Sequence, residues 1–297
     1  MTTTEKREIQ YKLRVYVDSY SSHKKACESI RDCNEATLTA MLRENEFEWD
    51  SISDGMWRHV ASQIGAAVDF SSLVETLNWQ TLVLYFQLAK EQGATFAITG
   101  HAGWGKSYTA KWFTALNRKR NVYYLECAEY WNKKMFLCKL LFQMGKRANG
   151  MQTGELMETL VREIGKQDQP LVILDEIDKL PDPVLKFFIT LYNELNKRCG
   201  FVWLSTDAIE KRLLKGVDRN TVGFSELFSR VGATFINLSR PTVDEVKEIC
   251  LANGITDEQK INLVCNEVKD LKGDLRRVAR NILKDKFKKF RKPSKAA

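Results

Sequence analysis

No stretch of the 297-residue chain approaches the roughly 18 to 20 uncharged apolar residues that a membrane-spanning helix needs. The opening residues, Met1-Thr-Thr-Thr-Glu-Lys-Arg-Glu, lack the basic-then-apolar layout of a secretory signal, so a cytoplasmic location is the expectation. C-x-x-C pairs are missing too. The seven cysteines (Cys27, Cys33, Cys127, Cys138, Cys199, Cys250, Cys265) are odd in number and scattered, which argues against a disulfide frame and against a zinc site. They read as small buried hydrophobes. Internal repeats are absent, and the only compositionally biased segment is a basic C-terminal tail.

What is present is enough apolar surface for real cores. A hydrophobic content of 44% beside 28% charged residues is ordinary for a globular protein, and the length favours two or three compact units. Net charge is +8, unevenly spread: residues 1–65 are net −2, residues 66–240 net +5 and residues 241–297 net +5. From Leu271 onward there are 11 basic and 2 acidic side chains, a footprint suited to a polyanion.

Residues 1–65 read as short helices: one through Tyr11, Leu13, Val15 and Tyr16, then 22–30, 35–42 and 53–64. The middle pair, joined by Arg31-Asp32-Cys33-Asn34, has helix-turn-helix proportions, with Glu35, Ala36, Thr37 and Thr39 placed to face a DNA major groove. Residues 66–78 carry no clear period and read as a linker. A helix over 79–92 ends at Gly93, the residue type that helix C-termini favour. Five apolar runs follow, at 94–99, 122–126, 171–174, 201–204 and 234–238, with helical segments between them. Such alternation predicts an α/β core with a mostly parallel, doubly wound sheet. Beyond Pro241 the spacing is purely helical (242–253, 257–269, 273–287) and predicts a small helical lid over 241–297.

The strongest local signal is Gly100-His101-Ala102-Gly103-Trp104-Gly105-Lys106-Ser107, with Tyr108 following, which satisfies G-x-x-x-x-G-K-[ST] directly after the first apolar run. Glycines let such a loop curl so that successive backbone N–H groups face phosphate oxygens, and the helix after it adds its positive end. Lys106 would reach the β- and γ-phosphates of ATP, and Ser107 would offer a hydroxyl to Mg²⁺. Leu171-Val-Ile-Leu-Asp-Glu supplies the partner motif, an apolar strand ending in carboxylates. Asp175 would hold the Mg²⁺ shell, and Glu176 would polarise a water for attack on the γ-phosphate. Asp178 reads as a capping or ion-pair residue. Thr206, at the tip of the fourth run, is either a γ-phosphate sensor beside Asp175 or a simple strand cap. Arg230 is either a surface arginine or a group that reaches a neighbouring subunit's nucleotide.

Taken together, the motifs at 100–107 and 171–176, the polar tip at Thr206, the Ser229-Arg230 pair and Gly273-Asp-Leu-Arg-Arg277 resemble an AAA+ ATPase over roughly residues 78–290. The resemblance implies a P-loop NTPase core over 79–240, Arg230 as an arginine finger acting in trans, and Arg276 (or its neighbour Arg277) as the lid's sensor-2 arginine. A helix-turn-helix ahead of a compact AAA+ module with a basic C-terminus is further similar to the MuB-like transposition helper ATPases. That likeness implies an oligomer or helical filament on double-stranded DNA, contacting mainly its backbone, and delivery of that DNA to a transposase. For the DNA path the residues offer Lys133 and Lys134 beside Tyr130 and Trp131, and a second patch of Lys286, Lys288, Lys289, Arg291, Lys292 and Lys295. The net acidic character of 1–65 leaves open whether Thr37 and Thr39 meet DNA or whether the unit binds protein. A helicase-loader or replication-initiator ATPase, and a signalling ATPase, are the alternative readings.

Overall fold

The computed structural model describes residues 3–18, 20, 22–43, 49–64, 73–117, 121–146, 148 and 150–291. They form two compact units, Met1–Ser71 and Ser72–Ala297.

The first unit contains α1 (Thr3–Asp18), α2 (His23–Glu28), α3 (Glu35–Leu42) and α4 (Asp54–Gln63). Polar residues start three of them: the side chains of Ser22, Asn34 and Ser53 accept the backbone N–H of Lys25, Thr37 and Met56, satisfying donors a helix start leaves open. Ile9, Leu13, Leu38, Met41, Trp57 and Val60 share one buried cluster, in which Trp49 meets Trp57 edge-on at 5.5 Å. The second helix is shorter than its 22–30 spacing predicts. Ser29 turns both its N–H and its hydroxyl onto the carbonyl of Ala26, which closes the helix after Glu28.

The second unit begins with α5 (Leu77–Gln92), which starts two residues earlier than its spacing suggests because Thr76 caps it through the N–H of Trp79. Gly93 ends it in the left-handed conformation (φ 59°), where a Cβ would strike the backbone of Lys197. The sheet consists of β1 (Thr95–Thr99), β2 (Val122–Glu126), β3 (Leu171–Asp175), β4 (Gly200–Ser205) and β5 (Phe235–Asn237). All pairs are parallel, in the order β2-β3-β4-β1-β5. Between the strands run α6 (Lys106–Leu116), α7 (Lys133–Gln143), α8 (Thr153–Gly165), α9 (Asp182–Leu195), α10 (Ala208–Asp218) and α11 (Phe224–Arg230).

Side chains alternate across the sheet with period two, and each face has its own core. Leu171 and Ile173 join Leu82, Phe86, Ala110 and Phe113 of α5 and α6. Val172 and Leu174 join Leu137, Leu160, Leu185 and Leu213 of α7 to α10. Every residue of β3 and β4 is buried, as expected of central parallel strands covered on both faces. Phe188 anchors the second face, stacked edge-on against Phe201 at 5.1 Å and Trp203 at 4.8 Å. Burying each such ring contributes about 2 to 3 kcal/mol.

Three helices close the unit: α12 (Val243–Ala252), α13 (Glu258–Asp270) and α14 (Arg276–Arg291). Val246, Cys250, Ile261, Val264, Val268, Val278 and Ile282 are buried along them. The last helix starts three residues later than the spacing predicts, since Gly273 turns at φ 86° and the Asp274 carboxylate accepts the N–H of Arg276. Asn78 clasps the chain leading into this bundle, donating to Ser239 O at 2.8 Å and accepting Ser239 N at 3.1 Å. Glu245 of α12 accepts the N–H of Leu77 at 2.7 Å. Among the described residues no helix is long and apolar enough to cross a membrane.

Candidate nucleotide site

Parity along β3 decides where its terminal carboxylate goes. Leu171 and Ile173 face α5 and α6, so Asp175, two positions further, shares their side of the sheet. There it meets the start of α6. The Ser107 hydroxyl lies near the Asp175 carboxylate and favours its charged form, the Tyr124 hydroxyl of β2 donates to its Oδ2 at 2.7 Å, and the N–H of Glu176 donates to its Oδ1 at 2.9 Å. Asp175 is 1% exposed. Burial pushes its carboxyl pKa up, while these donors pull it back toward the charged form.

The loop before α6 is built on positive-φ glycines, Gly103 at 85° and Gly105 at 87°. Lys106 lies in its curve and donates to Gly100 O at 2.5 Å and His101 O at 3.0 Å. At 8% exposure its ammonium is destabilised by burial and supported chiefly by Asp175; Arg276 of α14 adds like-charge repulsion. A lysine, a lid arginine, a serine hydroxyl and a carboxylate thus converge on one loop. This set suits a polyphosphate, and the paired hydroxyl and carboxylate oxygens suit a hard divalent cation that keeps most of its water and takes phosphate oxygens as well.

The remaining predicted residues surround this centre. Glu176 turns at φ 53° directly after β3, and its carboxylate forms a short ion pair with Lys179. Thr206 donates to Asp178 Oδ2 at 3.1 Å, and Arg212 clamps the same segment through the carbonyls of Asp178 and Leu180 and the Asp182 carboxylate. Ser205, one step back at the end of β4, is buried with its hydroxyl unpartnered. His101 and Ala102 of the loop and Tyr108 in the first turn of α6 are exposed. Arg277 lies 3.8 Å from Glu267 of α13, both side chains more than a third exposed. Arg230, at the end of α11, donates to Asn193 and Glu226 and lies 5.4 Å from the Tyr192 ring centre.

Tyr124 carries no sequence motif and was not foreseen, and Asp274, although inside the Gly273–Arg277 stretch, was given no role of its own. Strand register would have found the first: Glu126 pairs with Asp175, which sets Tyr124 on the same face two residues back.

Residues 89–213 match the family model described as an AAA domain. The fold is that of an AAA+ P-loop ATPase. Among solved structures, this chain is similar to Cdc6p from Pyrobaculum aerophilum (TM-score 0.53, 17% identity, covering 72% of this chain and 62% of that one). Weaker likenesses are to Drosophila ORC bound to DNA (0.44, 16%, 71% and 56%) and to NtrX from Brucella abortus in complex with ATP (0.48, 12%, 85% and 59%). The chain therefore spans less than two thirds of the length of each. A comparison with curated proteins gives no match.

Lys133 and Lys134 are exposed at the start of α7, with the Lys133 ammonium 5.5 Å from the Phe187 ring centre. They border a cleft of about 460 Å³ shared with Trp131, Pro181 and Pro183. Tyr130 beside it is 72% exposed. In the first unit, the Thr39 hydroxyl is turned back to Glu35 O at 2.7 Å, and Thr37 is half-buried. The side chains of Lys286, Lys288, Lys289 and Arg291, and all of Lys292 and Lys295, lie outside the described residues.

Proposed function

We propose that the protein is a Mg²⁺-dependent ATPase that assembles on duplex DNA in its ATP-bound state and delivers that DNA to a transposase. The observation that supports this most directly is the placement of Ser107, at the start of the phosphate-loop helix, near the buried Asp175 at the end of the carboxylate strand. In this reading the N–H groups of residues 103–107 and the Lys106 ammonium bind the β- and γ-phosphates. Ser107 and Asp175 hold the metal, which when bound supplies charge neutralisation at the phosphate oxygens. Glu176 orients and deprotonates the attacking water, Thr206 senses the γ-phosphate, and Arg276 contacts it from the lid. Arg230 completes the site of an adjacent subunit.

Lys133 and Lys134 are the DNA contacts we favour, since both are exposed beside an aromatic residue at a helix start and need only phosphate for a partner. The first unit, with Thr37 and Thr39 on α3, is a secondary DNA surface. The linker over 66–78 joins it to the ATPase core, and the lid follows from 241.

Filter retention of duplex DNA in ATP and in ADP tests the central claim. Wild type should retain DNA only in ATP, and Lys106→Ala should retain it in neither; unchanged retention by Lys106→Ala in ATP would sink the reading. A helicase-loader or initiator role shares every step but the last, and capture of a helicase instead of a transposase would assign it. A signalling role predicts ATP hydrolysis that duplex DNA does not stimulate.

A further inference from the structure

Trp104 occupies an unspecified (x) position of the phosphate-loop motif, and its side chain reaches the chain that leads into the last lid helix. Its ring packs over Gly100, where an added Cβ would come within 3.2 Å of the Trp104 Cε3 atom. Its indole N–H donates to Lys272 O at 2.9 Å, and a Cβ on Gly273 would lie 3.1 Å from the same nitrogen. Next to it, Leu275 N donates to Gly103 O at 3.1 Å. The Asp274 carboxylate fills the space where Gly103 has no side chain, so closely that a Cβ there would sit 1.9 Å from Oδ1. That same carboxylate accepts the N–H of Arg276 at 3.0 Å and so starts α14.

Residues 103–104 are thus fastened to 272–275 by two hydrogen bonds and two close packings, and the next residue along the chain is Arg276. The charge of Arg276 is felt at Lys106, on the loop's inner side. No other lid element makes a described hydrogen bond to the loop. The fastening therefore fixes where the backbone at Arg276 stands relative to the phosphate loop.

We propose that Trp104 is a positioning residue that couples the phosphate loop to the lid, so that Arg276 engages a γ-phosphate only while the indole holds the Lys272 carbonyl. The proposal rests on the nucleotide reading above and adds to it a specific consequence. Arg276 has no γ-phosphate to meet in ADP, so loss of the fastening weakens ATP binding and spares ADP binding.

Calorimetric titration of the full chain with ATP and with ADP, both with Mg²⁺, tests this. Trp104→Phe keeps a ring over Gly100 and removes the donor; it should reduce the preference for ATP over ADP about 5-fold, the worth of one neutral hydrogen bond. Arg276→Ala should reduce it about 10-fold or more, as expected for a charged bond. The double variant should match Arg276→Ala, because the two residues act in series. Hydrogen exchange supplies a second readout: ATP should protect the amides of residues 272–276 in wild type and fail to do so in Trp104→Phe. Equal weakening of ATP and ADP by Trp104→Phe would reduce Trp104 to a packing residue and overturn the coupling. Multiplying effects in the double variant would do the same, as would unaltered binding and protection in Trp104→Phe. A wild-type chain that binds neither nucleotide would overturn the nucleotide reading itself, which is a separate result.

Discussion

Tyr124 donates its hydroxyl to Asp175 at 2.7 Å from the neighbouring strand, beneath a lysine, Lys111, whose ammonium is 5.4 Å from the ring centre and pairs with Glu126 at 2.9 Å. Burial beside these acids drives the Tyr124 phenol pKa well above its ordinary value, so it stays a donor at every working pH. The bond orients a carboxylate that nothing else on β2 holds among the described contacts. Tyr124→Phe should raise the Mg²⁺ concentration needed for half-maximal turnover about 10-fold, the usual consequence of losing a partner behind a metal ligand. A Mg²⁺ titration of phosphate release measures this, and an unchanged midpoint would remove Tyr124 from the site.

Glu176 should be separable from binding. Its backbone turns out of β3 in the left-handed region, and its carboxylate reaches Lys179 without helping to shape the phosphate loop. Glu176→Gln should lower turnover about 100-fold or more, the usual contribution of a general base, while leaving ATP affinity and ATP-dependent DNA retention within about 2-fold of wild type. Turnover above a tenth of wild type would point to another base.

Arg230 is held on its own subunit by Asn193, Glu226 and Tyr192, about one third exposed. If it serves a neighbour, two inactive variants should rescue each other. Glu176→Gln assembles on DNA and keeps its arginine but loses its base; Arg230→Ala keeps its base and loses the arginine. Their equimolar mixture on duplex DNA should hydrolyse ATP well above the sum of the two alone, up to about a quarter of wild type for random neighbours in a filament. A mixture that only sums its parts would confine Arg230 to the surface of its own subunit.

How much of this was written in the sequence depends on distance along the chain. The strands around Ile98, Ile173 and Val202 were legible because buried parallel strands are continuous apolar runs, and the phosphate loop because its glycines, lysine and serine fall within eight residues. Parity then carries Asp175 to Ser107, but only once the order β3-β4-β1 is known. The Trp104 bond to Lys272 spans 168 residues and joins two loops, and neither propensity nor periodicity reports on it. Two helix starts were missed by two or three residues where a side chain decided them, as Thr76 and Asp274 do for α5 and α14.

Gly200 opens β4 against the end of α5, where an added Cβ would sit 2.3 Å from the carbonyl oxygen of Ala89. Backbone cannot give way as a side chain can, so the helix must move off the sheet. Gly200→Ala should cost about 1 to 3 kcal/mol in urea unfolding. A variant as stable as wild type would show that α5 is free to shift.

Glu163 of α8 ties the turn after α7 to its own helix through Lys146 at 2.7 Å and Lys166 at 2.8 Å. These two lysines hold its carboxyl pKa down at about 2, whereas in the unfolded chain it titrates near 4.3, the ordinary value for glutamate (~4.3). A group depressed on folding stabilises the charged native state, so its contribution is complete above about pH 5 and is lost as the pH falls toward 2. Glu163→Gln should therefore unfold at lower urea than wild type at pH 7, and the gap between the two midpoints should close steadily from pH 5 to pH 3. High salt should narrow the gap at pH 7 as well, since the pair lies near the surface and is screened. A gap that stays constant with pH would mean the lysines stabilise the glutamine equally, and that charge has no part in the contact.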